Sequence, residues 1–596
     1  MNSAASPSLQ PRPEHPQPQW ERKQWINLNG EWEFEMDDQR TGDLHRLYAR
    51  KQPLSGRIQV PYCYQSKLSG IDDTSFHDLV WYRKSFTLPA EWSSKQVLLH
   101  FGAVDYKADV WVNGQHVISH EGGHTPFFAN ITHSLQDGEN IITVRAEDFS
   151  KDNALPRGKQ YWKEKSESIF YTGTTGIWQT VWLEAVSNVH MEKTKFTPDI
   201  DRNEVQYRLY VNGLDSLAAT HKVEACFTIS FKSKVVTEHK IRVNHREEWG
   251  SIGLNNEYNN RGTDYHWSPE NPNLLDVSLQ LLVDGQVIDE VASYFGMRKI
   301  SIQHGKLCLN NHPYTMRLVL DQGYFPDGLL TAPDDADFIK DIELTKAMGF
   351  NGVRKHQKTE DPRYLYWADR MGLLVWGEAA NAYQYTTTYV NRFMREWQEI
   401  VERDYNHPCI TVWVPLNESW GIPLVQTDKC QQHHGLAMYH MTKSFDPSRP
   451  VIYNDGWEMM NTDIVGIHDY EWKEQVLTER YATIESTIES TPAMKPVFVG
   501  GAEYEGQPIL VTEFGGIKFK KSDWDGWGYS GAENDEDFKA RLQAVIRPIY
   551  RSSVVQGFCY TQLTDVEQEI NGLLTYDREP KLPLKVIHQI VTGQDL

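Results

Sequence analysis

From Trp25 to about Leu183 the chain alternates apolar and polar residues in short runs, WEFEM, VWYRKSFTL, QVLLHF, ADVWVNG, NIITVRAED and WQTVWLEA, separated by Gly, Pro, Asp and Asn. A period of two places every second side chain on one face, so these runs predict half-buried strands of a β-sandwich. A second series from about Asn188 to Gln303 (EVQYRLYVNG, HKVEACFTISF, KVVTEHKIRV, LLDVSLQLLVDGQVIDEVASYFG) repeats the signature over about the length of an immunoglobulin domain. After Gly305 the period changes. Apolar runs YTMRLVL, GFNGVRK, LLVWGEA, ITVWVPL, PVIYNDG, DIVGIHD, PILVTEF and VVQGFCY alternate with helical stretches such as DADFIKDIELTKAMG, DPRYLYWADRMG, YVNRFMREWQEIVERDYN and DEDFKARLQAVIRPIYRS. About eight strands in this arrangement predict a (β/α)8 barrel. No GxGxxG or GxxxxGK[ST] follows any of them, which leaves nucleotide binding without support. The expected organisation is a loose arm over 1–18, a first sandwich over 19–187, an immunoglobulin-like sandwich over 188–303 and the barrel over 304–596.

A chain of 596 residues is too long for one ordinary hydrophobic core, which agrees with several domains. With 40% hydrophobic and 24% charged residues it has a globular composition, and no apolar run approaches the ~20 residues of a membrane helix. A formal net charge of -21 argues against nucleic acid, whose phosphates are bound by clustered Lys and Arg. The 20 Trp and 29 Tyr suit stacking on sugar rings, although a large β-rich core also uses such residues. Cys63, Cys226, Cys308, Cys409, Cys430 and Cys559 show neither CxxC nor metal spacing and read as buried free thiols. The N-terminus, MNSAASPSLQPRPEHPQPQW, has no apolar secretory core, so cytoplasmic residence and small imported substrates are expected.

In such barrels the active site forms at the C-terminal ends of the strands, so polar residues closing an apolar run are candidates by position. The fourth run ends Asn417-Glu418-Ser419-Trp420 and the seventh ends Thr512-Glu513-Phe514-Gly515-Gly516. Two carboxylates thus reach one mouth from opposite sides. A lone strand-end Glu is more often a capping or salt-bridged group. A pair can cleave a glycoside, one carboxyl donating to the leaving oxygen and the other attacking or stabilising the anomeric carbon. Retention needs them about 5 to 5.5 Å apart, and inversion about 6.5 to 9.5 Å.

The chain resembles glycoside hydrolase family 2, whose members include β-galactosidases, β-glucuronidases and β-mannosidases, over nearly everything after the arm. WINLNGEWEFE, VWYRKSFTLP, ADVWVNGQHV, EGGHTPF and TTGIWQTVWLE are similar to its sugar-binding jelly roll, and SYFGMRKISI to the exit of its immunoglobulin-like domain. VPLNES and VTEFGG are similar to its acid/base and nucleophile segments. The resemblance implies a multidomain β plus α/β protein: a jelly-roll β-sandwich, an immunoglobulin-like β-sandwich and a catalytic TIM barrel. It further implies Glu418 as general acid/base, Glu513 as nucleophile and Asn417 as a ligand of the sugar 2-hydroxyl. Tyr470, closing GIHDY, matches a tyrosine that orients the nucleophile, and Arg354 and His356 in GVRKH match an Arg beneath it and a sugar-contacting His. Asp321 and Gln322 in RLVLDQGYFP, and Glu378 and Asn381 in WGEAAN, are further candidate hydroxyl ligands.

Three segments depart from the family pattern. Its β-glucuronidases carry Asn-x-Lys after strand eight, with the Lys pairing to the uronate; here DVEQEINGLLTYDREP puts Glu569 and Asn571 there. The cation is missing, and Glu569 should repel a uronate and accept from neutral hydroxyls. Tyr560, in GFCYTQLTD, replaces a Trp that forms the pocket floor, and LDQGYFP replaces a His-rich segment. The expected activity is that of a retaining exo-β-glycosidase acting on terminal β-linked sugars of small glycosides, galactosides first. One alternative is a β-glucuronidase or β-galacturonidase that takes its cation from the PRGKQ loop (Arg157, Lys159) or from Lys355 and Lys358. Another is a non-catalytic carbohydrate-binding protein. The two-carboxylate mechanism requires no metal or cofactor, no membrane or nucleic-acid partner is expected, and homo-oligomers are left open.

Overall fold

The computed structural model describes residues 10–49, 52–254, 265–521 and 526–596. In the first sandwich a six-stranded antiparallel sheet (Gly56–Val60, Gly30–Met36, Leu79–Thr87, Glu139–Glu147, Lys107–Val112, Gln115–Glu121) and a four-stranded one (Trp25–Asn27, Val181–Val186, Gln96–Phe101, Phe127–Asn130) share one core. Trp32, Tyr82 and Val144 meet Leu99, Phe101 and Leu183 there. The second sandwich joins the three strands His190–Asp199, Glu204–Asn212 and Glu247–Gly253 to the four strands Lys234–Arg242, Val223–Phe231, Leu275–Val283 and Gln286–Phe295. Its alternation is explicit in EVQYRLYVN, where Val205, Tyr207, Leu209 and Val211 are buried and the residues between them are not.

The barrel strands are β1 (Arg317–Asp321), β2 (Gly352–Lys355), β3 (Leu374–Glu378), β4 (Ile410–Val414), β5 (Asn454–Asp455), β6 (Val465–Asp469), β7 (Ile509–Gly515) and β8 (Val555–Thr561). All their pairings are parallel, and β1 pairs with both β2 and β8. The circle passes from β4 to β6 through β5, which pairs with Leu416–Asn417. Strands buried on both faces read as continuous apolar runs, which is why all eight were visible. Outside them lie α1 (Asp335–Ala347), α2 (Pro362–Met371), α3 (Thr387–Asp404), α4 (Lys429–Phe445), α5 (Glu474–Arg480), α6 (Asp535–Arg551) and α7 (Leu584–Val591). Side chains of Asp334, Asp361, Thr386, Asp428 and Asn534 cap α1, α2, α3, α4 and α6.

Two expectations need correcting. Residues 1–9 of the arm lie outside the described residues, but from Gln10 onward it is packed rather than loose. Arg12 is buried, donates to the Ala332 carbonyl and to Asp335 Oδ1 (3.2 Å), and lies 5.0 Å above the Phe338 ring; His15 meets Trp25 edge-on. A proline-rich segment has no strand or helix period, yet its stiffness lowers the entropy cost of ordering once a buried charge finds partners. The thiols also differ among themselves: Cys63, Cys308, Cys409 and Cys559 are buried, Cys226 is half-buried and Cys430 is exposed on α4. Among the described residues no helix is long and apolar enough to cross a membrane.

The first sandwich also reaches over the barrel. Gly158 N donates to Asn381 O (3.0 Å), Tyr383 Oη donates to the carbonyls of Gly158 and Gln160, and Tyr171 Oη donates to Glu569. Gly158 has φ of 60°, and a Cβ there would stand 2.2 Å from the Gln357 carbonyl, so only glycine lets the loop come this close.

Candidate active site

Beyond β4 the chain turns sharply. Glu418 and Ser419 adopt left-handed φ values of 52° and 59°, a conformation that costs roughly 1–3 kcal/mol per non-glycine residue and persists only where its surroundings enforce it. Here Glu418 N donates to Asp455 O (2.9 Å), Ser419 N to Asn454 Oδ1 (2.8 Å) and Ser419 Oγ to the buried Glu458. The strained turn brings the Glu418 carboxyl to His468 of β6, whose Nδ1 is 2.8 Å from Oε1.

Glu513 lies on β7, facing the same space. Its Oε1 is 3.0 Å from Arg354 Nη1, and its Oε2 accepts from Tyr470 Oη at 2.5 Å. The Tyr470 ring is itself stacked on Tyr529, with centroids 3.4 Å apart. Arg354 is completely buried and spends its fork on the barrel: Nε on Glu378 (2.7 Å), Nη1 also on Asp455 (2.8 Å) and Nη2 on Asn417 Oδ1 (2.5 Å). A planar guanidinium with five donors is the side chain suited to joining several strands at fixed angles. Burial works against its charge, but Asp455, Glu378 and Glu513 outweigh it and raise its pKa. Burial would likewise raise Asp455, yet Arg354 and His468 hold it down at about 2.

His468 stands between the two candidate carboxylates. Its Nε2 is 3.5 Å from Glu513 Oε1, 3.5 Å from Asp455 Oδ2 and 3.1 Å from Arg354 Nη1. Oxygens of Glu418 and Glu513 and a nitrogen of His468 lie within 4.8 Å of one another.

Around this pair the remaining predicted residues fall into two groups. His356 faces the pair, with Nδ1 3.1 Å from Glu378 and 3.9 Å from Glu513, and its burial pushes its pKa well down, toward the neutral ring. Glu569 and Asn571 also belong here: Glu569 accepts from Tyr171 Oη and from Asn571 Nδ2 (3.2 Å), and burial raises its pKa against the opposing effect of Lys159. The second group lies behind the mouth. Glu378 uses Oε2 on Arg354 and Oε1 on Gln357 N, so both oxygens are committed to the scaffold instead of a sugar hydroxyl. Asp321 is held by Lys355 (2.5 Å) and by Gly323 N (2.8 Å). Gln322 Nε2 donates to Gln562 (2.7 Å), and Asn381 accepts from Asn417 N (2.9 Å). Tyr560 has no exposed surface; its ring lies under Gly515, where a Cβ would come within 2.3 Å of it, and edge-on to Phe514, so it is core and not pocket floor.

Of the lysines considered, Lys355 and Lys358 are spent on Glu360 (2.8 and 2.9 Å), and Lys358 also donates to the carbonyls of Gly323 and Leu330. Lys159 differs. It is 7% exposed, its ammonium lies 5.3 Å from the Trp420 ring centroid, and its charge acts on His356 and Glu569. Among the described residues no carboxylate lies within ion-pair distance of it.

Family models agree with this layout segment by segment. "Glycosyl hydrolases family 2, sugar binding domain" matches residues 26–183, "Glycosyl hydrolases family 2" matches 189–298, and "Glycosyl hydrolases family 2, TIM barrel domain" matches 300–593. The chain belongs to glycoside hydrolase family 2. Within family 2 it is 26% identical to a β-galactosidase of Thermoanaerobacter pseudethanolicus over 404 residues, which is 66% of this chain and 50% of that one. It spans about half the length of such curated relatives. In fold it is similar to the β-glucuronidase of Bifidobacterium dentium (TM-score 0.78, 18% identity, 96% of this chain and 98% of that one) and to a β-galacturonidase of Eisenbergiella tayi (TM-score 0.74, 19% identity, 98% of each).

Sequence reasoning passed over His468 and Asp455. A signal for His468 existed: it lies near the end of β6, two residues before Tyr470, which follows the strand, and both side chains reach the candidate carboxylates. The aromatic wall of the mouth was not visible as a unit, because Trp162 and Phe170 of the first sandwich meet Tyr383 and Trp420 of the barrel only in the folded chain.

Proposed function

We propose that this chain is a retaining exo-β-glycosidase in which Glu513 is the nucleophile and Glu418 the general acid/base. The supporting observation is the pairing itself: two strand-end carboxylates that bring one oxygen each within 4.8 Å of the other, a close approach that fits a retaining pair. Glu513 attacks the anomeric carbon while Glu418 delivers its proton to the departing oxygen. The glycosyl-Glu513 ester is then hydrolysed by water that gives its proton to Glu418. Tyr470 and Arg354 fix the two oxygens of Glu513, and Arg354, by taking Asn417 Oδ1, leaves the Asn417 amide nitrogen to donate to the 2-hydroxyl. The sandwich loop around Gly158 closes one side of the mouth, which favours chain ends over internal positions.

For the glycone, Lys159 favours a β-uronide over the neutral galactoside first expected. An ammonium this buried, with no carboxylate partner among the described residues, is suited to a substrate anion. The repulsion expected from Glu569 is weakened by the rise in its pKa on burial and by Lys159 beside it. Relatives named both β-galactosidase and β-glucuronidase are consistent with a pocket tuned by few residues. A panel of p-nitrophenyl β-galactoside, glucoside, mannoside, glucuronide and galacturonide tests the proposal. A uronide should have the highest kcat/KM; a galactoside turned over faster than both uronides would overturn the assignment.

A further inference from the structure

We infer that His468 is a positioning residue for proton transfer: by donating Nδ1–H to Oε1 of Glu418 it confines the transferable proton to Oε2 and stabilises the carboxylate that remains after donation. This rests on Glu418 being the acid/base. Four features of the site support it.

The ring has no freedom to do otherwise. It is buried on β6, with Trp457 edge-on at 5.7 Å, and Gly456 sits so close that a Cβ there would come within 2.6 Å of Nδ1. The distance of 2.8 Å to Glu418 is that of a strong hydrogen bond. The charged groups facing the ring are Glu418 after β4, Asp455 of β5, Glu513 of β7 and Arg354 of β2, with His356 farther off. Burial alone would lower its pKa, but Glu513, Asp455 and Glu418 together push it up to about 10.

During glycosylation the Oε2–H bond of Glu418 breaks and its proton moves to the glycosidic oxygen. That oxygen keeps the electron pair of its broken bond to the anomeric carbon, and a Glu513 oxygen supplies the pair for the new bond. Glu418 ends as an anion. The Nδ1–H···Oε1 contact then joins a cationic ring to a carboxylate where before it met a neutral acid, so it is stronger after proton transfer than before. His468 keeps its own proton throughout and touches no substrate atom. Its Nε2 side, among Asp455, Glu513 and Arg354, links the acid/base to the group that anchors the nucleophile.

The test compares His468→Leu and His468→Asn with wild type on 2,4-dinitrophenyl and phenyl glycosides of one glycone, with kcat/KM measured against pH and melting temperature recorded. His468→Leu should lower kcat/KM about 100-fold on the phenyl glycoside and less than about 5-fold on the dinitrophenyl one. Its alkaline limb should move to higher pH, since the anion left by proton loss would no longer sit beside a donor. His468→Asn, whose amide can reproduce the Nδ1–H donor, should restore at least a tenth of the phenyl rate, and it carries the test if the Leu variant does not fold. Equal losses on both leaving groups with unmoved pH limbs would overturn the positioning role while leaving the glycosidase reading intact. No turnover by the wild type of either glycoside would overturn both.

Discussion

Replacing Lys159 with Met removes one charge from the mouth and little else, because the Met side chain keeps an apolar stem against Trp420. A uronate carboxylate about 4 Å from an ammonium gains about 4 kcal/mol at the effective dielectric of ~20 that suits partly buried pairs. Desolvation of both ions takes back part of this, and a hydrogen bond to a charged partner is typically worth a net 1.5–3 kcal/mol. Lys159 is only 7% exposed, so screening by salt subtracts little. At 1.36 kcal/mol per decade, kcat/KM on the uronide should fall roughly 10- to 150-fold. Hydrolysis of the matched neutral β-glycoside should change less than about 3-fold, since no charge is lost between enzyme and substrate. The assay is kcat/KM for paired p-nitrophenyl substrates that differ only at C6, with wild type and variant in the same buffer. The ratio of the two specificity constants is what matters, because a misfolded or displaced loop lowers both together. If Lys159→Met slows uronide and neutral substrate by the same factor, Lys159 is structural and the uronide assignment falls.

Other residues allow sharper checks of the scaffold and the acid. Glu418→Ala should slow phenyl glycosides by more than about 100-fold and 2,4-dinitrophenyl glycosides by far less, because a good leaving group needs no proton; parallel losses would point to another acid. Gly158→Ala places a Cβ 2.2 Å from the Gln357 carbonyl at a left-handed φ, so the loop carrying Lys159 must move. The expected result is a loss of uronide preference measured by the same substrate pair. Burial would raise Glu360, but Lys355 and Lys358 hold it down at about 2 against an ordinary 4.5. Its stabilising contribution, on the order of 3 kcal/mol, is therefore complete above pH 4.5 and lost as pH falls toward 2. The melting-temperature gap between wild type and Glu360→Gln should accordingly be wide at pH 6 and shrink at pH 3.

How far the sequence revealed this molecule varied with the kind of contact involved. The eight barrel strands were legible as apolar runs, although the fifth, PVIYNDG, forms regular pairing only over Asn454–Asp455. Helix α4 is hard to see in the sequence, since its inward face carries Gln431, Gln432, His434, Gly435 and Thr442 beside Met438 and so lacks the usual apolar stripe. Strand-end position correctly singled out Glu418 and Glu513 as facing one space, but could not distinguish groups that face the mouth from groups consumed beneath it. Glu378 and Asp321 went to Arg354 and Lys355, and Tyr560 went to the core under Gly515. Such pairings depend on side-chain direction and partner distance, which a strand's period does not encode. Lys159 stood in the sequence as one basic loop residue among several. Only the docking of the first sandwich on the barrel, through Gly158, Tyr383 and Tyr171, separates it from the lysines that are already paired.

The central claim is that bond cleavage passes through a covalent ester on Glu513. The most direct measurement is to incubate the protein with a 2-deoxy-2-fluoro-β-glycosyl fluoride of the preferred glycone and locate the added mass by peptide mass spectrometry. The two-carboxylate mechanism predicts a single adduct on the peptide containing Val511-Thr512-Glu513-Phe514, absent in Glu513→Gln. Turnover with no adduct, or an adduct on a different carboxylate, would contradict it.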